Sequence, residues 1–137
     1  MTSDPTSESP VDRMWAEDAA SRVLGMTVVS VDAGSAEVTM KVRDDMVNGH
    51  DLCHGGLIAT LADSAFALAC NSQGPVTVAS GFEIDFLEPG RLGDVLHATA
   101  VERTRRGRSG IYDVTVRRGG PDGPVIAEFR GRSRTLR

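Results

Sequence analysis

Asp63 lies in the middle of the segment His54–Asn71, HGGLIATLADSAFALACN, where only Thr60, Asp63 and Ser64 are polar between Leu57 and Cys70. An ionised carboxylate in so apolar a stretch costs several kcal/mol unless it is paired or hydrogen-bonded. Aspartate is also a poor helix former. So placed, it caps a neighbouring loop, meets an arginine at an interface, or does chemistry. The same segment opens with His54-Gly55-Gly56. Glycines admit close backbone approach, and the first N–H groups of a helix are unpaired at its positive end. Such a place can polarise a carbonyl.

The spacing then sets a constraint. Gly55 and Asp63 are eight residues apart, roughly 12 Å along a helix that rises 1.5 Å per residue. A reacting carbonyl needs its oxyanion donor at ~3 Å and its base or nucleophile close to carbon. One helix cannot easily serve both ends, but two antiparallel copies can. If both residues serve one site, that site lies across a dimer interface and occurs twice per dimer.

The elements that must hold these residues are legible as patterns. Residues 1–9 read as a flexible tail, and residues 10–137 as a single domain, since 137 residues suit one domain rather than two. Ser9-Pro10 resembles an N-cap followed by proline at the first helical position. Val11, Met14, Trp15, Ala19 and Val23 then predict one short amphipathic helix, with Gly25 as its stop. The period next changes to two. Met26–Val31 and Ala36–Arg43 flank the turn Asp32-Ala33-Gly34-Ser35, with Ala36, Val38, Met40 and Val42 on one face.

Asp44–Cys53 is aperiodic and polar, a loop. His54–Asn71 reads as a helix from its length, its Ala and Leu content and its lack of Val. Being apolar nearly all round, it must be surrounded by protein. Val76–Phe86, Val95–Arg103, Gly110–Arg117 and Val125–Arg134 read as strands, with turns at Thr104–Ser109 and Gly119–Pro124. A helix, two strands, a buried helix and four strands predict an α+β chain, with an antiparallel sheet curved around one long helix.

Composition narrows the function classes. No apolar run approaches the ~18 residues of a membrane span. The start, MTSDPTSESP, lacks the basic-then-apolar order of a secretory signal, so the cytoplasm is the expected location. The net charge of −4 divides into −10 over residues 1–100 and +6 over residues 101–137, where ten arginines lie. The acidic total disfavours nucleic acid, while a local arginine patch suits a small polyphosphate. Cys53 and Cys70 are seventeen apart, which fits neither a disulfide framework nor a structural zinc site.

NGHDLCHGG and, four residues on, LADSAFALACNSQG together span Asn48–Gly74. These stretches resemble the hot-dog fold thioesterases, most of all the phenylacetate-degradation type, which hydrolyses hydroxyphenylacetyl-CoA and related aryl-CoA esters. The resemblance covers about residues 14–135. It implies that Gly55 donates its N–H to the thioester carbonyl and that Asp63 of the partner subunit is nucleophile or general base. It further implies that Asn48 helps place the water or the thioester, that His54 supports the site, and that the CoA nucleotide lies by Arg106-Gly107-Arg108-Ser109. The implied assembly is a dimer of dimers, with no metal and no cofactor beyond the CoA that the substrate carries. Residue chemistry agrees: an Asp of reference pKa about 3.9 is ionised at neutral pH, and a thiol of pKa about 8.5 leaves without strong protonation.

Other readings of the same residues are weaker. His50, Asp51, Cys53 and His54 could ligate a metal, but they share one loop, and a catalytic zinc needs three ligands in rigid geometry. Cys53 beside His54 could be nucleophile and base, yet adjacent residues rarely face each other. His97 alternates within a strand and reads as structural. No Gly-x-Ser-x-Gly is present. Hydratases of the same fold pair an Asp with a His five residues on, as Asp45 and His50 are spaced, but Met46-Val47-Asn48-Gly49 lacks the accompanying Asn-Pro step. A non-catalytic acyl-CoA sensor would carry a DNA-binding segment, for which residues 1–25 are too short and too acidic.

Overall fold

The computed structural model describes residues 9–136. In chain order the elements are α1 (Pro10–Ala16), α2 (Ala19–Val23), β1 (Thr27–Asp32), β2 (Ser35–Lys41), α3 (Gly55–Cys70), β3 (Thr77–Phe86), β4 (Val95–Arg106), β5 (Ser109–Arg118) and β6 (Val125–Thr135). The six strands make one antiparallel sheet in the order β1-β2-β4-β5-β6-β3. Helix α3 touches all six. Strands spaced about 4.8 Å apart put the two edges roughly 24 Å from each other, over twice the width of a helix. A flat sheet could not reach α3 from both edges, so the sheet curls around it. This is the α+β hot-dog arrangement that the sequence leads one to expect. No helix among the described residues is long and apolar enough to cross a membrane.

Period-two patterning builds the inner face. Val38 and Met40 of β2, Leu96 and Ala98 of β4, Val114 and Val116 of β5 and Phe129 of β6 are buried against Leu61, Ala65, Phe66 and Leu68 of α3. The Phe66 ring lies 5.5 Å from that of Tyr112 and 5.8 Å from that of Phe129, centroid to centroid. It fits because β6 has no side chain beneath it: a Cβ on Gly131 would come within 2.8 Å of the ring. Gly131→Val should therefore lower stability by about 1–3 kcal/mol, the usual cost of overpacking. A urea midpoint that falls at constant m would show it, and an unchanged midpoint would mean that the sheet yields.

Five expectations are corrected or bounded. The single N-terminal helix is two. Ser9 caps α1, its side chain accepting from the Asp12 N–H, while Asp18 starts α2 by accepting from the Ser21 N–H. This second cap breaks the helix after Ala16 and leaves Val23 71% exposed, outside the apolar stripe. Residues 1–8 of the expected tail lie outside the described residues, and Ser9 belongs to the α1 cap. The turn expected over Thr104–Ser109 is narrower, because β4 runs to Arg106 and β5 starts at Ser109. Gly107, at φ 58°, supplies the left-handed residue that so tight a reversal needs.

Strand β3 also departs from its alternation. A bulge between Ala79 and Gly81 breaks the register with β6. As an edge strand it leaves Val78, Phe82 and Phe86 at 42%, 43% and 50% exposure. Nor is α3 fully enclosed. Past its first turn, Ala59, Thr60, Asp63 and Ala67 are the residues not buried, and they fall on one stripe.

Candidate active site

The loop before α3 is fastened by its own polar groups. Asn48 Oδ1 accepts from the N–H of His50 at 2.8 Å and from that of Leu52 at 3.2 Å. The Cys53 N–H donates to the Gly90 carbonyl and the His54 N–H to that of Met46. Asp51 takes a positive φ of 59°, which closes the turn. These bonds fix the chain where α3 begins. His54 takes the N-cap position there with extended backbone and makes no side-chain cap. Its side chain is exposed.

Without that cap, the Gly55 and Gly56 N–H groups at the start of α3 find no acceptor among the described residues, while that of Leu57 turns to the His54 carbonyl at 2.9 Å. Gly55 sits at the positive end of a sixteen-residue helix. Around it lies a cleft of about 380 Å³ lined by Asn48, Leu52, Cys53, Gly55, Ile58, Phe86, Leu87, Glu88 and Pro89. The Phe86 ring packs over Gly55 so closely that a Cβ there would lie 3.0 Å from Cζ. A mostly apolar cleft with an unpaired backbone N–H on one of its lining residues suits an acyl carbonyl.

Of the expected site residues, then, Asn48 and Gly55 share a cleft and His54 stands beside it. Asp63 does not line it. It is half-buried on the open stripe of α3, two turns further on. Burial, and next the negative charge of Asp18, raise its carboxyl above the ordinary value, with no hydrogen bond to offset them. A carboxylate so placed is a stronger base than a solvated one.

Arg106, Gly107, Arg108 and Ser109 do not line one cleft. Arg106 and Ser109 line a second cleft of about 380 Å³ with Ser80 and Arg132. Arg108 turns its Nε to the Thr135 carbonyl at 3.1 Å and is a structural tie. Sequence reasoning missed Phe86, Leu87 and Pro89 as lining residues. The signal present, a strand ending at Glu88-Pro89-Gly90, gave the turn but not its proximity to α3.

The rival constellations come apart. Among the described residues, no three of His, Cys, Asp and Glu lie together in a way that could hold a metal ion. Burial pushes the Cys53 thiol up to about 11 and the Cys70 thiol up to about 12, so both stay protonated at neutral pH. Asp45 is bound to Arg43 in an exposed ion pair at 3.1 Å, which accounts for its charge without His50. His97 is buried and bonded to Glu37 Oε2 at 3.2 Å, a structural role as expected.

A family model described as the thioesterase superfamily matches residues 50–125, from the loop through α3 to the start of β6. The chain belongs to that superfamily. It is 46% identical over 123 residues to the acyl-coenzyme A thioesterase PaaI of Escherichia coli, a match covering 90% of this chain and 86% of that one. The structure of the E. coli PaaI protein, from the phenylacetic acid degradation operon, superposes with a TM-score of 0.87 over 91% of this chain and 89% of that one. A mutant of the phenylacetic acid degradation protein PaaI from Thermus thermophilus gives 0.82 at 37% identity, over 87% of this chain and all of that one. A Streptococcus mutans protein solved with bound acetyl CoA gives 0.76 at 28% identity, over 81% of this chain and 88% of that one. Within the family, the likeness is to the PaaI type.

Proposed function

We propose that this chain hydrolyses acyl-CoA thioesters to the free acid and CoA, with phenylacetyl-CoA or hydroxyphenylacetyl-CoA as the preferred type of substrate. The observation that carries the reading is that Gly55, whose N–H is unpaired among the described residues, lines a mostly apolar cleft. The PaaI likeness and the acetyl CoA bound to a family relative support the substrate class.

The reaction runs as follows. The acyl group enters the slot beside Phe86 and its carbonyl oxygen accepts from the Gly55 N–H. Asp63 of a second copy takes the proton of a water whose oxygen attacks the carbonyl carbon, or its carboxylate attacks directly and water then cleaves the anhydride. The oxyanion collapses, the C–S bond breaks and CoA leaves as the thiolate. Asn48 holds the loop with its Oδ1, which leaves its amide N–H groups free to place the water or the thioester, and the exposed His54 supports the site. The CoA phosphates lie by Arg106 and Ser109, where Arg132 adds a third donor group. The second copy covers the stripe of α3 that carries Asp63 and the apolar edge of β3, and a dimer of dimers completes the assembly.

Free-thiol release from phenylacetyl-, hydroxyphenylacetyl-, benzoyl- and short- and long-chain aliphatic CoA tests this, with Asp63→Ala as control. Fast release from the aryl esters that needs Asp63 is the expected result. Binding without turnover on the whole panel would point instead to a sensor or a hydratase.

A further inference from the structure

Ser64 is a polar residue on the buried side of α3, and Ser21 is the buried residue of α2. Their hydroxyl oxygens lie 2.7 Å apart. Ser21 Oγ also lies 2.7 Å from Asp18 Oδ2, to which it donates. Each hydroxyl has one proton. With that of Ser21 spent on the carboxylate, the Ser64 hydroxyl donates to Ser21, and the line runs one way: Ser64 to Ser21 to Asp18. Asp18 Oδ1 accepts from the Ser21 N–H at 2.9 Å, so the carboxylate is held from both oxygens. This line ties the segment that starts α2 to the turn of α3 next to Asp63.

We propose that Asp18 is a positioning residue for the reaction: through Ser21 and Ser64 it clamps the turn of α3 that presents Asp63 and so sets the carboxylate's orientation. The inference rests on the reading of Asp63 as base or nucleophile. Two separate observations support it. The hydrogen-bond line is complete and its Ser21–Ser64 step is buried, so it fixes geometry rather than merely solvating a serine. And among the described residues, Asp18 is the one charged group whose field raises the Asp63 carboxyl. Cys70, two turns along α3, also couples to Asp63 but stays neutral, and Tyr112 of β5, packed on Phe66 of α3, is held protonated by burial and by its bond to Glu102.

The test is Asp18→Asn, which keeps a cap oxygen but removes the charge. Its kcat/KM for thiol release should fall severalfold at neutral pH. The acidic limb of its pH profile should move to lower pH, because a like charge has been taken from the base. KM should hold, and so should the thermal midpoint to within a few degrees. Carbon NMR of the Asp63 carboxyl in the same variant should show its titration moving the same way. Ser64→Ala, which cuts the tie and leaves the charge, should lower kcat without moving the limb. An Asp18→Asn enzyme with both the limb and the NMR titration in place, while Asp63→Asn is inactive, overturns the role of Asp18 alone. Turnover retained in Asp63→Asn overturns the base reading and this inference with it.

Discussion

Asp63→Asn loses roughly 10²–10⁴-fold in kcat for acyl-CoA hydrolysis, the range for a lost general base, and becomes more heat-stable as it does so. The second half follows from linkage. Burial and the charge of Asp18 raise the folded-state pKa of this carboxyl above its unfolded value. Between those two values the folded chain binds more protons than the unfolded one, so stability falls as pH rises through the window. Above it, at neutral pH, the ionised group is a net cost that the amide does not carry. Below the unfolded value the cost disappears, and the two proteins should melt together. Melting curves at about pH 3 and pH 7, paired with thiol release, decide the matter. A variant that is inactive yet no more stable at neutral pH would show that Asp63 is paired in the working assembly.

Gly55→Pro is the second large effect. Proline is tolerated at the first position of a helix, where its missing N–H breaks no helical bond, and His54 already has the extended backbone that a following proline demands. The substitution therefore deletes the proposed oxyanion donor and leaves α3 in place. Its new ring carbons press on Phe86, which Gly55→Ala reproduces with the N–H intact. We expect proline to cost about 10²–10³-fold in kcat beyond whatever alanine costs. Equal activity in the two variants would remove the donor from the mechanism. Mixing the inactive Gly55→Pro and Asp63→Asn chains adds a sharper readout. If each site takes Gly55 from one chain and Asp63 from another, random two-fold pairing restores one competent site in each mixed dimer, about a quarter of wild-type activity. Donor and base within one chain would instead leave the mixture dead.

What the sequence made legible was what local pattern controls. The alternation of Ala36, Val38, Met40 and Val42 and the Ala/Leu-rich run of α3 each specify one element and one face. Their order then leaves little choice but a sheet around a helix. Elements decided by competition between local signals were harder to read. Val11 to Val23 has helical spacing, yet Asp18 is a strong enough cap to start a second helix inside it. The Thr104–Ser109 stretch looked like a loop because it is polar, although the ladder with β5 persists to Arg106↔Ser109. At the site, Gly55 and Asp63 were legible because each breaks the pattern of its surroundings. Phe86 was not, since it obeys the strand period, and only the register of β3 on β6 brings it over the helix start. Arg108 could not be told from Arg106 before the Thr135 carbonyl was seen beside it.

The Asn48 loop has a consequence for selectivity. A segment already knotted by its own side chain and by bonds to Met46 and Gly90 has no loose conformation that a correct substrate must gather in. Enzymes that discriminate by closure can refuse a wrong acyl group by failing to close. This loop offers no such route, and on the proposed reading rejection comes from the outline of the cleft beside Phe86. One methylene more or less in such a slot is worth only about 10–200-fold. A graded tolerance across acyl groups, steepest where bulk meets the Phe86 ring, is the behaviour this loop imposes.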